Sequence, residues 1–272
     1  MTRKLILHIG SPKCGSTYLQ RVLIANRDLL ALNGINYPES GEKHPGNGMR
    51  ALDLPRDGVE SLFGQFHTAI LSHEDLFSMG SNLQALGPAC EAADVALIVQ
   101  AFLRPFSEVI YGDYSQFMKQ NIERYMAEKM AYDGQSFEEF AVTRRSQITP
   151  VAWLNAWAKV SSQPIRLARH RDIRATLDDL IGPLPLDWTI NRESSNPSLR
   201  VTDCEDIASA IRLGIPGEKI REFYKTSYAK VSLPDRGRTE ERSRWLEALF
   251  KSINEKIIGD FGFDNSLQSA AH

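Results

Sequence analysis

Residues Leu5 to Leu19, Leu-Ile-Leu-His-Ile-Gly-Ser-Pro-Lys-Cys-Gly-Ser-Thr-Tyr-Leu, read as a buried strand, a glycine-bounded loop and the start of an amphipathic helix. Gly10 and Gly15 permit backbone conformations and close approaches that a side chain would block. Ser16 and Thr17 lead into a helix whose unpaired N–H groups and positive dipole end favour an anion. The segment is suited to a phosphate or sulfate. An ordinary strand–turn–helix corner is the competing reading of so short a motif.

The lysine decides which kind of loop this is. A nucleoside-triphosphatase loop, G-x-x-x-x-G-K-[ST], has Lys directly after the second glycine; here Lys13 lies inside the loop and Ser16 stands where that lysine would be. A tyrosine-phosphatase loop needs an arginine six residues after Cys14, and that position is Gln20. Pro12 to Leu19 instead resembles the 5′-phosphosulfate loop of sulfotransferases that use 3′-phosphoadenosine 5′-phosphosulfate (PAPS), roughly P-K-[SAT]-G-[ST]-[ST]-x-L. Cys14 takes the small-residue position. The resemblance implies a cofactor-binding set of Pro12, Lys13, Cys14, Gly15, Ser16 and Thr17. Cys14 at a helix start could carry a lowered pKa and react with alkylating agents, but a packing role is the preferred reading.

A second region adds weight. Val95 to Val99 is a continuous apolar run, read as a buried parallel strand, and Arg104 lies just past its C-terminal end, where open α/β sheets bind ligands. In the sulfotransferases this strand is followed by an arginine, with a serine eight and a tyrosine ten residues later, and the arginine and serine grip the 3′-phosphate of PAPS. Arg104 and Tyr114 fit that pattern; the serine position is Gly112. Ser115 and Tyr111 are the candidate substitutes. The resemblance runs on through Lys119 and, more weakly, through the Trp157–Val160 region and Asn196-Pro197-Ser198-Leu199, which also reads as a turn and helix start.

The order of elements implies a three-layer αβα fold with a mostly parallel central sheet, a P-loop-like phosphosulfate loop and a helical C-terminal half, expected as one domain over residues 1–272. A helix over about 17–33 is stopped by Gly34; strands follow at Ile35–Tyr37 and His67–Leu71. Thr149-Pro150 signals a helix start, with Trp153 and Trp157 expected in the core before a strand at Ile165–Ala168. From about Thr239 a helix with Leu246, Phe250, Ile253 and Ile257 on one face is expected to stop near Gly259. Arg236, Arg238, Arg242 and Arg244, mixed with Glu240 and Glu241, read as a solvated face. A net charge of −2 carries no polybasic signature, so nucleic acid is not an expected partner. Three cysteines without metal-ligand spacing argue against a disulfide scaffold or zinc site. The absence of a signal-like or membrane-spanning run implies a cytoplasmic protein that does not insert into membranes.

The resemblance implies transfer of a sulfuryl group from PAPS to a hydroxyl or amine on a small-molecule or glycan acceptor, without a metal. Lys13 and the loop N–H groups would stabilise charge on the leaving phosphate. Ser72-His73-Glu74-Asp75 at a strand end supplies the general base, with Glu74 preferred and His73 close behind. Capping of a helix near Leu76 by Glu74 or Asp75 is the structural alternative. His44 is a weaker candidate. A P-loop small-molecule kinase, using Ser16 or Thr17 with Asp75 for magnesium, and a nucleotide-binding protein without turnover are the rival functions.

Overall fold

In the computed structural model, which describes residues 3–11, 13–40, 44–190 and 197–267, the first apolar run is the middle strand of a parallel sheet. Strands β1 (Arg3–His8), β2 (Ile35–Asn36), β3 (Thr68–Ser72), β4 (Val95–Leu103) and β5 (Arg166–Arg169) lie in the order β2-β3-β1-β4-β5, each pair parallel. Leu5–His8 and all of β3 are buried, which is why these strands read as unbroken apolar runs rather than alternating ones. The chain is therefore α/β with a five-stranded, all-parallel sheet, consistent with a three-layer αβα arrangement. In chain order the helices are α1 (Ser16–Ala25), α2 (Arg27–Leu32), α3 (Leu54–Asp57), α4 (Leu86–Ala92), α5 (Phe106–Glu128) and α6 (Phe137–Gln147). They continue as α7 (Pro150–Ala158), α8 (Ile173–Ile181), α9 (Val201–Arg212), α10 (Gly217–Tyr228) and α11 (Glu240–Phe261), so most of the helix follows Arg104.

Contacts divide the chain into two compact units, one of Met1–Arg104, Thr149–Asn191 and Glu255–Asn265, the other of Pro105–Ile148, Arg192–Asn254 and Ser266–His272. The first holds the sheet. Ile6, Ile70 and Phe102 from the strands pack with Leu19, Leu23, Leu30 and Leu177 from the helices. Trp157 is fully buried and its indole N–H donates to the Leu76 carbonyl at 2.9 Å, whereas Trp153, also expected in the core, is only half-buried against the edge of Phe77.

In the second unit Phe106 stacks on Phe250 with centroids 4.7 Å apart, and Tyr114 on Tyr132 at 4.0 Å. Tyr114 is thus a core residue. The start of α9 is capped from a distance: Asp235 accepts from the N–H groups of Val201 at 2.7 Å and Thr202 at 3.2 Å. Ser198 does not begin that helix, and Asn196 lies outside the described residues.

Other boundaries shift for identifiable reasons. The expected 17–33 helix is two helices hinged at Asn26, whose side chain donates to Asp187 O and accepts from Asp187 N instead of continuing the helix pattern. The second strand is two residues long, the third reaches Ser72, the fourth reaches Leu103 and the fifth lies one residue later than expected. The last helix runs through Gly259 and stops at Gly262, where φ is +65°. Of the arginine cluster, Arg242 is not on a solvated face but lies between Glu138 (2.9 Å) and Glu205 (3.1 Å), with its side chain largely covered.

Strand order also fixes where a ligand would sit. The connection leaving β1 runs to β2 at one edge, and that leaving β4 runs to β5 at the other, so β1 and β4 flank a topological switch point.

Candidate functional site

The loop that leaves β1 turns sharply three times. Gly10 has φ +72°, Lys13 +66° and Gly15 +86°, all in the left-handed region. Lys13 holds this conformation although a side-chain-bearing residue loses roughly 1–2 kcal/mol there. The loop is braced on both sides. A Cβ at Gly10 would fall 2.3 Å from the Glu74 Cα, and one at Gly15 would fall 2.9 Å from the Ile173 Cδ1 at the start of α8. Cys14 is buried with Ile173 and Leu177, which bears out its reading as a packing residue.

Beyond the loop, α1 begins without help from a side chain. Its N-cap is Gly15, no side-chain acceptor caps it and no acidic residue stands in its first turn. Ser16 is buried, and its Oγ has no hydrogen-bond partner among the described residues. A buried hydroxyl without a partner is costly, and a helix N-terminus left uncapped is the usual setting for an anion. Thr17 is half-buried beside it. Pro12 lies outside the described residues.

At the end of β3 the chain brings a second set of polar groups to the same loop. His73, not Glu74 or Asp75, caps the short 3₁₀ turn Glu74–Ser78: its Nδ1 accepts from the Asp75 N–H at 3.2 Å. The Glu74 side chain is thereby left to do something else. Its Oε2 accepts from Gln20 Nε2 at 3.0 Å, and its Oε1 lies 3.5 Å from His44 Nε2. The His44 ring packs 4.6 Å from that of His73. Gln20 directs a second contact from the same nitrogen to Ser72 Oγ at 3.3 Å, and Ser72 Oγ in turn meets His8 Nδ1 at 2.8 Å.

These contacts select the tautomer that each neutral imidazole takes. His44 Nδ1 accepts from the Gly46 N–H at 3.0 Å, so the neutral ring carries its proton on Nε2, facing Glu74. The Asp75 amide does the same to His73, leaving its proton on Nε2. Neither imidazole turns a bare Nδ1 toward an acceptor. Glu74 is partly buried, which by itself raises its pKa, but the Gln20 hydrogen bond, its own backbone amide and the nearby His44 and His73 outweigh burial and bring it below the ordinary carboxylate value. It is ionised at neutral pH. His8 is fully buried, and that desolvation lowers its pKa to about 4 against a smaller opposing pull from Glu74, so it is neutral. Because an unfolded histidine titrates near ~6.5, the stability that neutral His8 contributes is complete above that pH and is lost as pH falls toward 4.

Lys13, Ser16, Thr17, His73, Glu74 and Arg104 all belong to the sheet unit. Arg104 directly follows β4, and the β1–β4 register pairs His8 with Gln100, so Arg104 leaves the sheet about four residues beyond the end of β1 on its neighbour. The Arg104 carbonyl accepts from the buried Asn265 side chain at 2.8 Å. Gly112 belongs to the helical unit, buried within α5. The two substitutes considered for its missing hydroxyl are committed there: Ser115 Oγ accepts from the Leu199 N–H at 2.7 Å, and the Tyr111 hydroxyl meets Ser243 Oγ at 3.1 Å.

Gln20 and His8 were not legible as site residues, Ser72 was legible only as part of the strand-end segment, and His44 only as a weaker base candidate. One signal was present: Gln20 follows Ser16 by one helical turn and interrupts the apolar stripe of Leu19, Val22 and Leu23. Among the described residues no group of His, Cys, Asp and Glu side chains could hold a metal ion, and no helix is long and apolar enough to cross a membrane. Comparison with protein-family models, with curated proteins and with solved structures returned no match.

Proposed function

We propose that this chain is a PAPS-dependent sulfotransferase, with a P-loop-like loop that holds the 5′-phosphosulfate. The observation that carries the reading is the loop from Gly10 to Gly15. It has three left-handed turns and an uncapped helix N-terminus, and the buried Ser16 hydroxyl lacks a partner among the described residues. A phosphate or sulfate oxygen satisfies those donors together. PAPS supplies the activated sulfuryl group. Lys13 and the loop N–H groups stabilise the charge that collects on the departing phosphate, and Arg104 reads the 3′-phosphate with its planar fork of donors.

The acceptor's hydroxyl or amine attacks sulfur and loses its proton to Glu74. Glu74 is the better base than His73 because its Oε1 keeps accepting capacity, whereas the His73 Nδ1 lone pair is already used by the Asp75 amide. A carboxylate of lowered pKa is a weak base, so it serves a proton that departs late, after the new S–O or S–N bond has begun to form. The products are the sulfated acceptor, adenosine 3′,5′-bisphosphate and a proton on Glu74. A small-molecule or glycan acceptor is consistent with this chemistry.

The test is thermal stability with nucleotides, followed by turnover. Adenosine 3′,5′-bisphosphate at about a hundredfold over its Kd should raise Tm by roughly 5 °C or more without magnesium. Arg104→Ala should weaken that ligand at least tenfold more than adenosine 5′-phosphate. Stabilisation by magnesium–ATP instead identifies a kinase, and bisphosphate binding with no transfer of labelled sulfate to any acceptor identifies a binding protein. Either result overturns the reading.

A further inference from the structure

We propose that Gln20 is a positioning residue that clamps the Glu74 carboxylate, anchored in turn on Ser72 and His8 of the sheet. The inference rests on the reading of Glu74 as the proton acceptor.

Gln20 is fully buried on α1, one turn past Ser16. Its amide orientation follows from its neighbours, since an ionised carboxylate only accepts and the group facing Glu74 Oε2 must be the NH₂. One hydrogen of that NH₂ goes to Glu74 and the other to Ser72 Oγ. Ser72, having accepted, donates its own proton to His8 Nδ1, which is available because buried His8 is neutral. The result is a chain of contacts through Glu74, Gln20, Ser72 and His8, in which Gln20 donates to both of its neighbours and Ser72 donates to His8, and whose inner end is fixed by two strands. His44 Nε2 lies 3.5 Å from the other carboxylate oxygen.

Such a clamp has a catalytic purpose. A carboxylate on a short 3₁₀ turn would rotate about its side-chain torsions, and each wrong rotamer removes the oxygen from the acceptor's proton. Holding Oε2 through Gln20, with His44 Nε2 3.5 Å from Oε1, converts that search into a fixed geometry. The same helix carries the phosphate loop at its N-terminus, so the groups that handle the donor and the group that takes the proton are set by one rigid element. Among the described residues, the groups that bear on the Glu74 charge are Gln20 from α1, His8 from β1, Tyr37 after β2, His44 from the following loop and His73, itself 3.8 Å from Asp75, beside its own turn.

Gln20→Met keeps the buried volume and removes both donors. With PAPS and an active acceptor, kcat should fall about tenfold while KM for PAPS changes less than twofold, because the donor loop is untouched. The acid limb of the pH–rate profile should move upward, and the Glu74 carboxyl resonance, followed by ¹³C NMR in the protein alone, should titrate at a higher pH than in the wild type. Ser72→Ala, which removes only the anchor, should move both readouts the same way by less; it also serves if Gln20→Met does not fold. A merely structural Gln20 would lower stability and leave both limbs where they are, and that result overturns the proposal. If the wild type transfers no sulfate, the sulfotransfer reading fails, and the NMR titration alone then decides the clamp: no movement of Glu74 in either variant overturns it.

Discussion

The two units treat buried polar groups in opposite ways. In the helical unit the charges are closed on one another: Arg144 donates twice to Asp113, Arg200 forms a two-pronged pair with Asp203 at 2.7 Å, and Arg242 bridges two glutamates. In the sheet unit His8 Nε2 at the end of β1, Ser16 Oγ and Gln20 Oε1 on α1, and also Arg21 Nε and Trp188 Nε1, are buried with no hydrogen-bond partner among the described residues. Closed networks specify a scaffold, whereas open ones leave donors and acceptors for something that arrives from outside.

This contrast can be broken most sharply at Lys13. Lys13→Ala should reduce sulfuryl transfer by ~10²–10³-fold if Lys13 has the proposed role of stabilising charge on the leaving phosphate, and should leave unfolding by urea nearly unchanged. Turnover within about tenfold of the wild type would end its assigned role. Asp203→Ala is the mirror experiment. It strands Arg200 with its carboxylate partner gone, and should lower stability by about 3 kcal/mol while bisphosphate affinity stays within twofold. A stable variant with weakened nucleotide binding would reverse the roles assigned to the two units.

The smallest effect is expected at Gly112. A glycine in a helix interior loses roughly 0.5–1 kcal/mol relative to alanine, so Gly112→Ala should stabilise α5 by about that much if its buried surroundings admit a methyl group. Gly112→Ser adds a hydroxyl where the sulfotransferase pattern has one, and should tighten adenosine 3′,5′-bisphosphate by a further ~0.5–1.5 kcal/mol over the alanine variant. Equal binding by the two variants would show that this register does not bring position 112 to the 3′-phosphate.

What the sequence disclosed followed from local physics. The β1–loop–α1 segment was legible because its apolar run, two glycines and helix start are contiguous, and the sheet was legible because strands buried on both faces cannot alternate. Asn26 was not, because the group that breaks the helix there is Asp187, 161 residues away. Asp235 capping α9 is the same kind of event. Gln20 looked like a polar flaw in an apolar stripe, and only the return of β3 beside β1 gives it Ser72 and Glu74. His44 ranked below Glu74 and His73 as a base because nothing nearby in sequence reveals that its ring comes to 3.5 Å from Glu74. The capping alternative for Glu74 or Asp75 is not what the structure has, since His73 does the capping.

The sheet unit is discontinuous, and its last piece, Glu255–Asn265, contributes the Asn265 amide that binds the Arg104 carbonyl and the Asp264 carbonyl that accepts from Arg169. On a ribosome the chain emerges from its N-terminal end, at roughly 5–20 residues per second. Residues 105–254 must therefore all leave the exit tunnel between β4 and the segment that secures its end, an interval on the order of ten seconds. Through that interval the ends of β4 and β5 lack these partners, and a nascent parallel sheet with exposed apolar strands is the kind of species that chaperones engage. The architecture that sets Arg104 at the strand end thus delays its completion until nearly all of these residues have been translated.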